Sequence, residues 1–278
     1  MAPAPLITTS RPSQGVLLLQ LTKPPLSTFT TALFLALKSA FEEADKDNDV
    51  RVVVLAGGVD RGFTAGLDLG DSNLRHEAAD PARTALLMRD HITFLQSSVS
   101  AIEKCSKPVI CAVHGLCLGA GVDVAAACDI RYASTDAVFA IKEVDIALAA
   151  DLGSLQRLPK VTGNGSLLAE LALTARNFGA DEAMKLGLLS GVVEGGKEEV
   201  LEKALDVAAV IASKSPIATL STKHLLNHAR DHTVQEGLEY TQAWNMSMLQ
   251  TADIPAAFTA FATKKPASFA KLGGNPKL

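Results

Sequence analysis

Three aliphatic runs separated by helical patterns constrain the fold of this 278-residue chain more than any other feature. The runs are GVLLLQL at residues 15–21, VRVVVLAGG at 50–58 and KPVICAVHG at 107–115. Residues 30–47 have the apolar spacing of an amphipathic helix, and a second helix is expected over about 80–104. Strands that are apolar on both faces are typical of a parallel sheet covered by helices. The sequence therefore predicts an α/β fold with a largely parallel sheet.

The pattern changes near residue 200, after which only helices are expected. We therefore predict a flexible N-terminus over 1–14, a core with the active site over 15–199, a helical region over 200–265 and a tail over 266–278. The last helices carry more apolar side chains than a small appendage can cover, which predicts oligomerisation through them. These side chains are Trp244, Met246, Met248, Phe258 and Phe261.

Composition narrows the class of ligand. The net charge is −4 and the pI is near 5.9, without the basic surplus of a nucleic-acid-binding protein, so a small-molecule ligand is favoured. No apolar run reaches the roughly 18 residues that span a bilayer, and the N-terminus lacks the apolar core of a secretory signal, so an intracellular protein without a membrane partner is expected. The four cysteines form no C-x-x-C pair, which favours buried free thiols over a metal site.

Three acids within residues 112–160 have apolar neighbours along the chain. Asp123 precedes VAAAC, Glu143 comes soon after AVFAI, and Asp151 lies between IALAA and LGSLQ. Apolar surroundings raise the pKa of a carboxyl group, and several acids in one cavity push their pKa values apart. The three acids therefore indicate proton-transfer chemistry. The alternative is that they are helix caps or ion-pair partners; Asp151 in particular has the spacing of an N-cap before LGSLQRL.

Two glycine-containing turns follow predicted strands, in FTAGLDL at 63–69 and in HGLCLGAGVD at 114–123. Such turns leave backbone N–H groups unpaired, and these groups can point at an anion. Two turns that face one pocket would form an oxyanion hole. The alternative for the second turn is tight packing of strand against helix. A dinucleotide-binding fingerprint is disfavoured, because the glycine order is G-x-x-x-G-x-G and not G-x-G-x-x-G.

These turns and acids resemble those of the crotonase family, the enoyl-CoA hydratases and isomerases, and the resemblance covers most of residues 15–265. It implies a crotonase-like ββα spiral core, an acyl-CoA substrate and self-association as a trimer or hexamer. It implies no cofactor, because CoA is part of the substrate, and no metal. The oxyanion donors would be the backbone N–H groups of Leu67 and Ala120. Substrate or CoA contacts would come from Ala65, Gly66, Leu67, Asp68, Gly119, Lys264 and Lys265.

The third acid, Asp151, makes the chain resemble one subgroup of the family. Hydratases of the family carry two glutamates where this chain has Asp123 and Glu143, whereas Asp151 and the segment WNMSMLQT resemble the subgroup that converts 3,5-dienoyl-CoA to 2,4-dienoyl-CoA in fatty-acid β-oxidation. That reaction removes a proton at carbon 2 and returns one at carbon 6, through a dienolate between them. The resemblance implies three catalytic acids. We assign Glu143 to carbon 2, Asp151 to carbon 6, and Asp123 to tuning or orienting the other two.

Other functions remain open at this stage. A hydratase needs two carboxylates around one water, and the shorter Asp123 would hold that water less well than Glu. The intact acids argue against a non-catalytic acyl-CoA-binding relative, and the missing basic stripe argues against an RNA-binding one. His224, His228 and His232 recur every fourth residue, which fits metal ligands or, more simply, a partly exposed stripe.

The chain ends in Pro-Lys-Leu, which is similar to the Ser-Lys-Leu peroxisomal address. Together with the chemistry of fatty-acid oxidation, it predicts recognition by the peroxisomal import receptor and a peroxisomal location. The mitochondrion is the alternative.

Overall fold

The computed structural model describes residues 5–71 and 77–273. The strands are β1 (Ile7–Ser13), β2 (Val16–Leu21), β3 (Val52–Gly57), β4 (Gly62–Thr64), β5 (Val109–Val113), β6 (Leu116–Leu118), β7 (Ile130–Ser134), β8 (Val138–Ala140), β9 (Phe178–Gly179) and β10 (Gly191–Val193). The α-helices are α1 (Thr31–Lys46), α2 (Pro81–Lys104), α3 (Ala120–Ala127), α4 (Ser154–Val161), α5 (Gly165–Thr174), α6 (Ala180–Leu186), α7 (Lys197–Ala212), α8 (Pro216–Ala229), α9 (Val234–Met248) and α10 (Asp253–Thr263).

The main sheet has six strands in the order β1-β2-β3-β5-β7-β10. All neighbours in it are parallel except β1, which pairs antiparallel with β2 at the edge. The three aliphatic runs form β2, β3 and β5, so the predicted parallel sheet is confirmed. Alternate residues of these strands join two separate apolar clusters, one with α1 and α2 and one with α7. Helices thus cover both faces, which explains why the runs are apolar throughout.

A second sheet, in the order β4-β6-β8-β9, lies at the ends of the main strands. The chain passes from β3 to β4, from β5 to β6 and from β7 to β8, so successive strand pairs place one strand in each sheet and lead into a helical segment. This repeat is the predicted ββα spiral. The crossing is tight at Gly62, where an added Cβ would lie 2.2 Å from the backbone nitrogen of Leu116.

Two predicted boundaries are wrong in part. Residues 1–14 were expected to be flexible, but Ile7–Ser13 pair with β2 because a strand at this edge satisfies their backbone groups. The boundary at 200 falls inside α7, whose buried residues pack against the main sheet, so α7 belongs to the core. Only α8, α9 and α10 form the separate helical region. The predicted tail is joined to the core at Phe269, whose carbonyl accepts a hydrogen bond from Arg51 at 2.7 Å.

The three regularly spaced histidines, two on α8 and His232 just after it, form an aromatic stack. The ring of His228 lies between those of His232 and Tyr240, with centroids 3.7 and 3.9 Å away, and His224 stacks on Trp244 at 4.0 Å. Within 5–71 and 77–273, no group of three or more His, Cys, Asp or Glu side chains is arranged to hold a metal ion. The stacking of these rings on one another and on Tyr240 and Trp244 favours the stripe interpretation.

Across the described part of the chain, no single helix is both long and apolar enough to cross a membrane. The helices α7 and α8 pass that test only as a pair, bent by 112°.

Candidate active site

Two turns meet where β4 and β6 end. These strands are parallel neighbours, so the turn at Ala65–Leu67 lies beside the turn at Gly119–Ala120. Gly66 has a φ of 88°, and an added Cβ there would lie 2.6 Å from the carbonyl oxygen of Leu118. Only glycine fits such an approach without strain. The Thr64 hydroxyl accepts a hydrogen bond from the Gly66 N–H at 3.1 Å and holds the first turn in place.

One N–H group in each turn is available to a ligand. In the first turn, the N–H groups of Ala65 and Asp68 donate to backbone carbonyls. No described residue accepts a hydrogen bond from the N–H of Leu67 or of Ala120. Ala120 is the first residue of α3, where an N–H has no acceptor within the helix and lies at the positive end of the helix dipole. The two donors predicted for the oxyanion hole are thus adjacent.

The methyl group of Ala120 does not disturb this turn. The left-handed position belongs to Gly119, with a φ of 49°, and Ala120 is absent from the described non-glycine residues of positive φ. The N–H can therefore point into the site from an unstrained helical residue.

Both turns open into a cavity of about 290 Å³ with a largely apolar wall. Ala65, Gly66, Leu67, Gly119 and Ala120 line one part of it. The remaining lining residues are Leu69, Met88, His91, Ile92, Leu95, Lys142, Glu143, Ile146, Leu148, Asp151 and Leu152. Sequence reasoning missed the helix α2 contribution, including His91. The sequence could have indicated the contribution of α2, because positions 88, 91, 92 and 95 have the spacing of residues on one face of a helix.

Glu143 lies next to the second turn. It begins a short 3-10 helix, Glu143–Ile146, that follows β8. Its Oε1 lies 3.5 Å from the position that a Cβ on Gly119 would take, and its buried Oε2 has no hydrogen-bond partner among the described residues. Burial raises the pKa of Glu143, and the nearby Asp151 carboxylate raises it further. A carboxylate in this position can take a proton from a bound ligand.

Asp151 lies on the same cavity, in the loop before α4. The residue is exposed overall, but partial burial of its carboxyl group raises the pKa, and the neighbouring His91 opposes that rise. The loop is held from two sides, since Gln96 donates to the carbonyl of Asp151 at 2.7 Å and Arg157 donates to that of Leu152 at 3.3 Å. The N-cap interpretation of Asp151 is wrong, because α4 begins only at Ser154 with Gly153 as its N-cap.

Asp123 caps the N-terminus of α4 although it lies 31 positions before Ser154 in the chain. Its Oδ1 accepts a hydrogen bond from the backbone N–H of Ser154 at 2.5 Å, and its side chain is fully buried behind the cavity wall. Burial raises the pKa of Asp123 to about 7, with a further contribution from Glu143. Asp123 therefore does not line the cavity beside Glu143 and Asp151. Its position suits the orienting role assigned to it, because it joins α3, which begins at Ala120, to the segment that follows Asp151.

Three predicted contact residues are not brought to the cavity. The Asp68 carboxylate pairs with Lys23 at 2.8 Å and accepts a hydrogen bond from Thr28, and the hydrogen bond from Lys23 lowers its pKa. Lys264 and Lys265 follow α10 on the surface and do not line the cavity within this chain. A role for these lysines stays a prediction that requires a neighbouring subunit.

The fold is shared with solved structures, and the sequence matches a known family. The structure superposes on an enoyl-CoA hydratase from Bacillus anthracis with a TM-score of 0.86 and 26% identity, covering 96% of this chain and 99% of that one. The model of the family "Enoyl-CoA hydratase/isomerase" matches residues 11–272. The chain belongs to this family, as the turns and acids predicted.

Two curated relatives are more similar in sequence. The mitochondrial Delta(3,5)-Delta(2,4)-dienoyl-CoA isomerase of Pongo abelii is 52% identical over 228 residues, covering 81% of this chain and 69% of the relative. The peroxisomal Delta(3,5)-Delta(2,4)-dienoyl-CoA isomerase of Arabidopsis thaliana is 42% identical over 251 residues, covering 89% of each.

The buried Asp123 should make stability depend on pH. Its folded-state pKa of about 7 lies above the ordinary value of 3.8, so the folded protein holds a proton that the unfolded chain has lost between these values. The free energy of unfolding should therefore fall as the pH rises through this window, by up to about 1.4 kcal/mol per pH unit for this group. Asp123→Asn keeps an acceptor for the Ser154 N–H and should flatten the curve. Urea unfolding at several pH values measures it, and an unchanged slope in the variant would contradict the assignment.

Proposed function

We propose that this protein is an isomerase that converts 3,5-dienoyl-CoA to 2,4-dienoyl-CoA in fatty-acid β-oxidation. One observation carries the proposal: Glu143 and Asp151 line a single apolar cavity that also contains two unpaired N–H donors. The high identity to relatives named as dienoyl-CoA isomerases supports it. The chemistry needs no cofactor beyond the CoA of the substrate.

The thioester carbonyl would lie at the N–H groups of Leu67 and Ala120. Removal of a proton from carbon 2 by Glu143 forms a dienolate, whose negative charge these N–H groups stabilise. Asp151 then donates its proton to carbon 6, and the double bonds move from positions 3 and 5 to positions 2 and 4. A raised pKa suits both groups, because it makes Glu143 a better base and keeps a proton on Asp151 at a higher pH.

The position of Asp123 argues against a hydratase. Hydration of a 2-enoyl-CoA requires two carboxylates around one water at the reacting carbons. Asp123, which corresponds to one of them, is fully buried and holds the N-terminus of α4. The cavity contains Glu143 and Asp151 instead. Two acids in one cavity can serve a proton removed at one carbon and a proton returned at another.

The two cavity acids should separate the half-reactions. Asp151→Asn should lower turnover of 3,5-dienoyl-CoA by roughly 10² or more, the scale for loss of a positioned acid. It should still exchange the carbon 2 proton in heavy water, because that step needs only Glu143 and the oxyanion hole. Glu143→Gln should lose both activities. Formation of the conjugated product is followed by absorbance and the exchange by mass spectrometry.

Two measurements control this experiment. CoA-ligand binding and the circular dichroism of each variant show that the fold persists, and 2-enoyl-CoA offered to the wild type tests hydration directly. Near wild-type isomerisation by folded Asp151→Asn would remove this residue from the mechanism. Efficient hydration without isomerisation would replace the proposed activity.

Ala120→Pro tests the oxyanion hole through the backbone. Proline is accommodated at the first position of a helix but has no N–H, so the change removes the donor itself. Isomerisation should fall by roughly 10² to 10³, the usual effect of losing one such donor. Ala120→Gly is the matched control, because it keeps the N–H and should keep most of the activity. Equal activities of the proline and glycine variants would contradict the role of this N–H.

We infer self-association as a trimer or hexamer through the last helices. Met246, Phe258 and Phe261 are 70, 70 and 87% exposed, which is unusual for large apolar side chains in one small region. Analytical ultracentrifugation should report a multiple of three chains. An active monomer at micromolar concentration would contradict the inference.

Localisation is proposed to be peroxisomal. The curated relatives include peroxisomal and mitochondrial proteins, so both compartments are plausible. Residues 276–278, which lie outside the described residues, would be read by the import receptor. A fluorescent protein fused at the N-terminus should enter peroxisomes, and deletion of 276–278 should leave it in the cytosol. Import that survives the deletion would refute the address.

A further inference from the structure

Each catalytic cycle leaves the two cavity acids in exchanged protonation states. On the proposed function, Glu143 ends with the proton from carbon 2, and Asp151 ends ionised after giving its proton to carbon 6. Asp151 must regain a proton before it can act again. The substrate cavity is a poor route while it is occupied, because its wall is largely apolar and the acyl chain fills it.

A second cavity also has Asp151 in its wall. It has a volume of about 390 Å³ and shares Asp151 and Leu152 with the substrate cavity. Its other lining residues are mostly polar or charged: Gln96, Ser100, Glu103, Gly153, Gln156, Arg157, Lys160, Arg230 and Asp231. A water molecule takes roughly 30 Å³ of liquid, so the space suits on the order of ten waters. Asp151 is therefore in the wall between an apolar cavity and a polar one.

The charges of the second cavity are already paired. Glu103 binds Arg157 at 3.1 Å and Arg230 at 2.6 Å, and Lys160 pairs with Asp231 at 3.1 Å. These pairs join α2, α4 and the end of α8 into one wall. Glu103 is shared by two arginines, so the ionised Asp151 is the third carboxylate that balances the three cations of the cavity. A cavity without net charge does not select an anion, and water is the fitting occupant.

We propose that this second cavity is the port through which Asp151 regains its proton from solvent water during turnover. A hydrated proton reaches the ionised carboxylate, forms the neutral acid and leaves water behind. No other reactant is required. Asp151 then recovers without waiting for the product to leave the substrate cavity. The Glu143 proton is lost separately, once that cavity opens.

An isotope experiment on the wild type tests the source of the proton. The substrate is deuterated at carbon 2 and the reaction is run in ordinary water. If Asp151 regains its proton through the second cavity, the hydrogen added at carbon 6 comes from solvent, and carbon 6 of the product should contain little deuterium. Transfer of most of the label from carbon 2 to carbon 6 would mean that Glu143 passes its proton to Asp151 internally, and it would overturn the port.

A plugged variant tests the route. Gln156 lies on the exposed first turn of α4 and lines only the second cavity, so Gln156→Phe should fill the opening without disturbing the fold. Gln156→Ala is the matched control, because it removes the same polar group and leaves the space open. The kcat of the phenylalanine variant should be roughly tenfold lower than that of the alanine variant, equal to about 1.4 kcal/mol of barrier, with similar KM values. Its carbon 6 should also contain more of the carbon 2 label.

The outcomes distinguish the port from the function on which it rests. Equal kcat values and equal label in the two variants would refute the port while isomerisation stands. Failure of the folded wild type to form any 2,4-dienoyl-CoA would refute the proposed function instead, and the port with it.

Discussion

The parallel pairing of β4 with β6 is the constraint on which the site depends. It brings together two turns that are 53 positions apart, taking Gly66 and Gly119 as their centres. The close approach at Gly62 and at Gly66 leaves no room for a Cβ, so the pairing requires glycine at both positions. Because a parallel pair ends on one edge, the N–H groups of Leu67 and Ala120 face one cavity. Neither turn alone could stabilise an enolate from two sides.

The burial of carboxyl groups near the two turns raises their pKa values, as the proposed proton transfer requires. Asp123 extends from α3, which begins at Ala120, to the first residue of α4, which follows the loop of Asp151. Gln96 and Arg157 hold the same loop through its carbonyl groups. These hydrogen bonds fix Asp123 and the loop of Asp151. Full or partial burial raises the pKa values of Asp123, Glu143 and Asp151. The same packing thus determines where the carboxyl groups lie and how readily they hold a proton.

Long regular patterns were predicted well, and short elements were not. Runs such as VRVVVLAGG are apolar over enough residues to indicate a covered strand, and β3 formed there. β4 and β6 have three residues each, which is too few for a periodic signal, so only the family resemblance implied the spiral in which they pair. Most residues of β1 are polar because it lies at an exposed edge, so its sequence resembles that of a flexible N-terminus. α7 was assigned to the wrong region because amphipathicity does not say which sheet or helix covers the apolar face.

The sequence by itself determined which chemistry is available: three acids among apolar neighbours, two glycine turns and a parallel sheet. Those properties are local, since they follow from residue type and spacing. Only the tertiary structure decided where the three acids lie relative to the cavity. It placed Glu143 and Asp151 on the cavity and Asp123 behind its wall, added His91 from α2, and set a second, polar cavity against Asp151. These relations join residues far apart in the chain, and packing between elements creates them.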